Sequence, residues 1–449
     1  MLVMKRMFQC PAILLLLSTL NLQRSTARAQ ALPTNIGTIF MIGLENHNFT
    51  QPNPTSSPEQ IYTNPAAPYI NSLITAGNSN AKYVSYCTRY YNTGNGVHPS
   101  EPNYIWEEAG SNLGILADND PSTANGNLFT VEHFVHQLDA AGISWHNYEE
   151  DVEYTTPIAS KSGTRPSGTN AYNGSAQYSY ACKHNPMCFW TNSCEKNVNS
   201  LTNFLPDLNN DRLAQYNWLM PDSANCMHTA TSANFTYHGT TYTGGSDQCA
   251  IAEGDNFLSI IVPQIMASAA FTNNGVIIIR FDETEGGDTT NYSLPEIIIS
   301  PLAKGNAYAS SVVMSHSSDV KTMEEIYGLN YTNPAGANYL SNSIPSGETA
   351  ATPAGTYNNI GGSNVNDFND LFAVEQTLDL PNVTITFAEP NSVVVAWPNT
   401  GSYTLQQNSN LAAPADWTLT GYSISTANGT NSITITPPMG NLFFRLSNP

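Results

Sequence analysis

The residues of this sequence that could do chemistry together are Glu45, Asn46, His98, Ser100, Asp222, His228, Asp282, Glu283 and His316. Ser100 stands in the run Gly96-Val97-His98-Pro99-Ser100-Glu101-Pro102-Asn103-Tyr104. Pro99 and Pro102 fix φ near the helical value and remove donors, so the run is stiff, and Pro102 fits the first turn of a helix. A serine at that place lies beside helix N-terminal amides, which favour an anion such as a phosphate oxygen. Taken alone, the run reads more simply as a serine N-cap in a proline-rich turn. The other candidate residues make the difference.

Those residues recur just beyond apolar runs. Glu45 and Asn46 follow 38–44, Asp222 follows 216–220 with His228 six residues on, Asp282 and Glu283 follow 275–281, and His316 precedes a helical stretch over 319–327. In open α/β sheets, ligands bind beyond the carboxyl ends of strands. Singly, each acid is also an ordinary loop residue; as a set they match what phosphoryl transfer requires. A serine hydroxyl is a weak nucleophile until a metal or base activates it. Carboxylate and amide oxygens suit a divalent cation, and a histidine can supply the proton for a leaving oxygen.

The elements that must position them follow from periodicity. Continuous apolar runs over 38–44, 216–220, 275–281 and 295–301 predict buried strands, with further strands over 82–87 and 143–148. Helices are expected over 66–76, ended by Gly77, and over 128–141, with Phe129, Phe134, Val135 and Leu138 at helical spacing and Gly142 as stop. A third is expected over 253–270, burying Phe257, Ile260, Ile261, Ile265 and Met266 and kinked at Pro263. Glu149-Glu150-Asp151 reads as a solvated acidic turn, and 154–200 as a polar insertion over one end of the sheet. Alternating strands and helices imply an α/β/α sandwich with a mostly parallel central sheet. Residues 331–369, rich in Asn, Gly, Pro and Ser, read as loop, and the short alternating strands from Val383 onward as a small all-β sandwich. This tail resembles β modules appended to many exported bacterial enzymes, and a spacer or surface-docking role is the expectation.

The chain has 449 residues, 41% of them hydrophobic, enough for a large domain and a small one. Residues 1–29 read as a secretory signal: Lys5-Arg6, a short apolar run from Ala12 to Leu17, and Ala27-Arg28-Ala29 for cleavage. The expected organisation is a signal over 1–29, a catalytic domain over 30–375 and an accessory module over 382–449, secreted or at the periplasm or cell surface, with no transmembrane anchor. Six cysteines remain after the signal, Cys87, Cys182, Cys188, Cys194, Cys226 and Cys249. An even count in an exported chain favours disulfides, with a zinc cluster as the alternative. The net charge of −20 becomes four units more negative once Lys5, Arg6, Arg24 and Arg28 leave with the signal. A surface this acidic excludes nucleic acid as a partner. A phosphate ester then needs a local reversal of the field, which a bound divalent cation supplies.

Glu45-Asn46-His47-Asn48-Phe49 resembles the E-N-x-x-F opening of the metal-dependent phosphoesterase family that contains bacterial phospholipases C and acid phosphatases, and 98–104 is similar to its H-P-S-x-P-N-Y element. The resemblance continues through Trp218-Leu219-Met220-Pro221-Asp222, Gly254-Asp255, Phe281-Asp282-Glu283, Ser300-Pro301 and Ser315-His316-Ser317, over about residues 36 to 330. It implies an alkaline-phosphatase-like fold. It further implies that Glu45, Asn46, Asp282 and Glu283 ligate one divalent metal of unknown identity, that Ser100 is the nucleophile and that His98 lines the phosphate pocket. Asp222, His228 and His316 are implied to stand where the superfamily binds a second metal, or to act as hydrogen-bond donors and acid catalyst. His47, His133, His136, His146, His184 and His238 are expected at surface or helix positions without a role.

The function this implies is hydrolysis of phosphate monoesters through a phosphoserine on Ser100. The alternatives are a phospholipase C acting on phosphodiester head groups and a surface binding protein that keeps the fold without turnover.

Overall fold

The computed structural model describes residues 32–92, 97–152, 160–163, 169–176, 180–329, 366–373, 383–388, 391–399, 403–410, 417–427 and 429–447. The expected signal over 1–29, Gly96 and most of the expected loop over 331–369 lie outside the described residues. The chain divides into two compact units, Met1–Val374 and Glu375–Pro449.

In the first unit the order is β1 Ile39–Leu44, α1 Pro68–Leu73, β2 Val84–Cys87, α2 Ser100–Ala109, α3 Phe134–Ala141, β3 Trp145–Glu149, β4 Val198–Ser200, α4 Leu201–Asn209 and β5 Tyr216–Met220. A hairpin of β6 Phe235–Tyr237 and β7 Thr240–Tyr242 follows. Then come α5 Asp247–Met266, α6 Ala269–Thr272, β8 Val276–Phe281, β9 Glu296–Ile299, β10 Tyr308–Ser310 and α7 His316–Ile326. Eight strands form one sheet in the order β10-β2-β9-β8-β1-β5-β3-β4. It is mostly parallel; the antiparallel pairs are those of β9 with β2 and β8. Every residue of β1, β5, β8 and β9 is buried, so both faces of the sheet are covered. The expected α/β architecture is therefore present.

Parallel pairing at the centre positions the site. β1 lies between β5 and β8 and runs parallel to both, so the loops after all three leave from the same end of the sheet. The register sets Leu44 opposite Phe281, and one residue further on stand Glu45 and Asp282. Gly43 permits this packing: a Cβ there would come within 2.7 Å of Met220 Sδ and 3.3 Å of the Trp218 ring.

Several boundaries differ from expectation. Helix α3 begins at Phe134 because 128–133 is drawn out of the helix, with Phe129 bridged to Trp190. Helix α5 begins at Asp247, before the expected Glu253, because the Ser246 side chain caps Cys249 N and extends the start by two turns; it continues through Pro263. Asp255 of this helix accepts from Tyr69 N and Ile70 N at 2.8 Å each, which ties α1 to α5. Glu149, Glu150 and Asp151 are buried rather than solvated. The reason is a set of amide partners: Glu150 accepts from Asp222 N at 2.9 Å, Asn170 Nδ2 at 2.7 Å and Asn225 Nδ2 at 2.9 Å. Cys87, Cys182, Cys188, Cys226 and Cys249 are buried and Cys194 is half-buried. Cys188 and Cys194 come within hydrogen-bonding reach of each other. Among the described residues, no helix is long and apolar enough to cross a membrane.

The second unit holds two antiparallel sheets. One is β11 Thr384–Ala388, β12 Ser392–Pro398, β16 Thr430–Ile435 and β15 Ser425–Ala427; the other is β14 Thr418–Leu419, β13 Thr404–Asn408 and β17 Phe443–Ser447. Val395, Trp397, Ile433 and Ile435 of the first and Leu405 of the second share one small core.

Candidate active site

Helix α2 starts at Ser100, with Pro99 as its N-cap residue. All ten of its residues are buried, which holds Ser100 on a rigid support. Its Oγ donates to Glu45 Oε2 at 3.0 Å and to Glu283 Oε1 at 3.3 Å. One turn on, where i and i+4 share a helix face, the Tyr104 hydroxyl donates to Glu45 Oε1 at 2.6 Å. Both oxygens of Glu45 are thus fixed by α2.

Asn46 has φ of +52°, a left-handed conformation that asparagine tolerates. Its amide N donates to Asp282 Oδ1 at 3.0 Å, which joins the loop after β1 to the loop after β8. Asn48 adds a second clasp: its Nδ2 donates to Glu285 O at 2.8 Å and its Oδ1 accepts from Glu285 N at 3.0 Å. The Glu45 and Asp282 carboxyls come within hydrogen-bonding reach of each other.

Burial pushes Glu45 up to about 7, against the pull of Lys183 and the Tyr104 hydroxyl. Burial and then the charge of Glu45 push Asp282 well above the usual carboxylate range. Glu283 is raised by burial to about 7, partly offset by its hydrogen bond to His98. A buried cluster of like charges costs free energy unless a proton or a cation sits among them.

The chemistry of these donors is of the kind that a divalent cation takes. Asn46 Oδ1 and Asp282 Oδ2 are buried with no hydrogen-bond partner, and Glu45 and Glu283 complete an all-oxygen group of the kind that hard cations take. His98 lies beside it, with Nδ1 hydrogen-bonded to Glu283 Oε2 and Nε2 3.0 Å from Asp288 Oδ1. Burial opposes charge on this imidazole, but its bonds to Asp288 and Glu283 raise it to about 10.

Asp222, His228 and His316 are divided rather than gathered. Asp222 Oδ1 accepts from Ala224 N and Asn225 N at 3.1 and 2.9 Å, closing its own loop. His316 is sealed behind Asp282: its Nε2 is bonded to the Asp282 carbonyl oxygen, and its Nδ1 lies 2.7 Å from the Tyr90 hydroxyl and 3.1 Å from Arg280. It belongs to a fully buried cluster in which Arg280 pairs with Glu107 at 3.0 Å and approaches Asp319 at 4.0 Å. His228 meets Glu45, in a group with His184. His316, at the start of α7, is bound to the strand end that carries Asp282, while the loop after β5 is tied to β1 through Cys226 O, which accepts from Glu45 N at 2.8 Å.

Three histidines expected at surface or helix positions without a role are buried. His47 orients the turn after β1, with Nδ1 3.0 Å from Glu45 O and Nε2 3.3 Å from Asp247 Oδ1. His133 precedes α3 and bonds Glu108 at 2.8 Å. The His184 ring, in a short turn of 3₁₀ helix at Cys182–His184, lies tilted against those of Tyr104 and His228. Its neighbour Lys183 also escaped the sequence reading. Lys183 Nζ bonds Asp118 Oδ2 at 2.5 Å and acts electrostatically on Glu45 and Asp282. With 15 Lys and Arg in the whole chain, a cation in a polar segment was the available signal. His136 and His238 are exposed and His146 half-buried.

Residues 42–330 match the sequence profile of the Phosphoesterase family. The chain is 29% identical over 220 residues to the phosphate-repressible acid phosphatase of Penicillium chrysogenum, a match spanning 46% of this chain and 42% of that protein. The chain thus spans less than half the length of that relative. It is 24% identical over 317 residues to the phosphatidylinositol-3-phosphatase of Mycobacterium tuberculosis, across 71% of this chain and 83% of that one. Among solved structures it is similar to a protein in the alkaline phosphatase superfamily from Vibrio parahaemolyticus, with a TM-score of 0.40 and 11% identity over 82% of this chain and 78% of that one. With the profile covering well over half of its residues, this chain belongs to the Phosphoesterase family.

Proposed function

We propose that the protein is an exported metal-dependent phosphoesterase that hydrolyses phosphate monoesters through a phosphoserine on Ser100. The observation that carries this reading is the position of the Ser100 hydroxyl, 3.0 Å from Glu45 and 3.3 Å from Glu283 at the start of a buried helix. Glu45, Asn46, Asp282 and Glu283 would hold a divalent cation, which when bound offsets the charge of the phosphoryl group. The Ser100 proton passes to a neighbouring carboxylate as Oγ bonds to phosphorus. The bond to the alcohol breaks in the same step and the alcohol takes a proton from water; the hydroxide left takes back the carboxylate's proton, and a second water hydrolyses the phosphoserine, one of its protons restoring the Ser100 hydroxyl and the rest leaving with phosphate. The amides of the first turn of α2, the His98 imidazolium and Lys183 bring positive charge to the phosphate. Export rests on residues 1–29, and the C-terminal β module is assigned a spacer or surface-docking role.

The Penicillium and mycobacterial relatives are both named as phosphatases, which favours monoesters over the diesters of a phospholipase C. A panel of aryl phosphate monoesters against choline phosphodiesters, with and without a chelator, tests the reading. Monoester turnover that the chelator abolishes is expected. Turnover of the choline diester alone would put the phospholipase reading first, and metal binding without any hydrolysis would leave the binding protein.

A further inference from the structure

We infer that Glu45, His184 and His228 form a second cation site, for a first-row transition ion such as zinc, beside the oxygen-lined one. Ligand atoms of these three residues all lie within 4.8 Å of one another, near enough for small side-chain adjustments to gather them around one ion with bonds of about 2.0–2.2 Å. They come from three distant segments: the end of β1, the turn at Cys182–His184 and the loop after β5. His184 Nε2 is buried, has no hydrogen-bond partner and lies 3.2 Å from Glu45 Oε1, not aligned for a hydrogen bond to it. An imidazole nitrogen sealed from water and aimed at a carboxylate without bonding it lacks a partner, and a cation between the two supplies one.

The surroundings favour this use. The His184 and His228 rings stand 5.3 Å apart between centroids. His228 Nδ1 is held by Thr229 Oγ1 at 2.7 Å, the outer bond that orients a ligating imidazole and leaves its other nitrogen for the ion. Lys183, the nearest positive charge in sequence, is paired with Asp118, whose carboxylate offsets part of its charge. The two donor sets differ in kind. Two imidazoles with one carboxylate select zinc and its neighbours, whereas carboxylates with an amide oxygen select harder ions. Glu45 presents Oε2 toward Ser100 and Oε1 toward His184, so one carboxylate serves both sites. The inference rests on the proposed function only through that shared residue. It replaces the Asp222–His228–His316 set implied by resemblance, which the fold divides.

The test uses cobalt(II) as the probe on the full-length chain, stripped with chelator and then titrated, with bound metal counted by elemental analysis and the visible spectrum recorded. Wild type is expected to take up about two equivalents. H184Q and H228Q should each lose one equivalent and the visible band of nitrogen-ligated cobalt, with affinity at that site down by more than about 100-fold. D282N should keep the band and lose the other equivalent. H228Q alters a half-buried loop residue, so it reports even where H184Q disturbs the fold, and circular dichroism checks both variants. Unchanged uptake and spectrum in both histidine variants would overturn the second site. A single equivalent lost only in D282N overturns it too while leaving the oxygen-lined site standing. A single equivalent lost only in the histidine variants supports the second site and removes the first.

Discussion

Glu45 and Asp282 leave neighbouring parallel strands at the same level, one residue past the Leu44–Phe281 register pair, and bring their carboxyls within hydrogen-bonding reach of each other. Two buried acids so close need a proton or a cation in common. In the D282N variant an amide can hydrogen-bond Glu45 without either. Wild type should therefore melt higher when divalent cation is added, by about 2.7 kcal/mol at 100 times the dissociation constant. For D282N that gain should shrink markedly while the metal-free melting temperature stays equal or rises. Differential scanning calorimetry with and without chelator measures both.

The Ser100 hydroxyl is the nucleophile of the proposed reaction. S100A should lower turnover of an aryl phosphate about a thousandfold or more, with circular dichroism and cation binding largely unchanged. Retention of most activity would mean that phosphorus is attacked from elsewhere.

Lys183 brings positive charge to the edge of an acidic site. K183Q should weaken inhibition by inorganic phosphate about 10- to 100-fold, the loss expected for one charge-assisted hydrogen bond of about 1.5–3 kcal/mol. Inhibition constants for phosphate in the two proteins decide this, and equal values would confine Lys183 to its pair with Asp118.

Arg280 is fully buried among Glu107, Glu296 and Asp319, with Glu296 its register partner across β8 and β9. R280L would leave those acids without their counter-charge. Removal of one partner from a buried ionic group costs about 3–5 kcal/mol, so urea unfolding should show a loss of that order.

Glu253 is raised by burial from 4.5 to about 7, with the bonds from Thr231 working against the rise. Between those two values the folded chain holds a proton that the unfolded chain has released, so stability falls as pH rises through that window. Below pH 4.5 both states are protonated and the contribution is whole; above about 7 it is gone. E253Q should flatten this slope and melt higher than wild type at pH 7. Melting temperatures across pH 4.5 to 7.5 would show it.

Much of this was legible from local patterns. The runs 38–44, 216–220 and 275–281 predict β1, β5 and β8 within a residue or two, because strands buried on both faces are apolar throughout. Pro99, Ser100 and Pro102 mark the start of α2. The polar stretch around Lys183 and His184 has no such pattern. His184 is buried against Tyr104 and Glu45, distant in sequence, and not by any periodicity of its own stretch. The acidic run Glu149-Glu150-Asp151 misleads for the same reason, since its amide partners Asn170 and Asn225 lie 20 and 75 residues from Glu150.

Which strand ends carry acids, and which serine opens a helix, follow from neighbours a few residues away and so were set by local order along the chain. Which histidines face those acids was settled by folding. It tied His316 to the Asp282 carbonyl oxygen and brought His184 to the Glu45 carboxylate. A side chain's surroundings are set by the packing of layers, and packing joins residues that no local spacing connects.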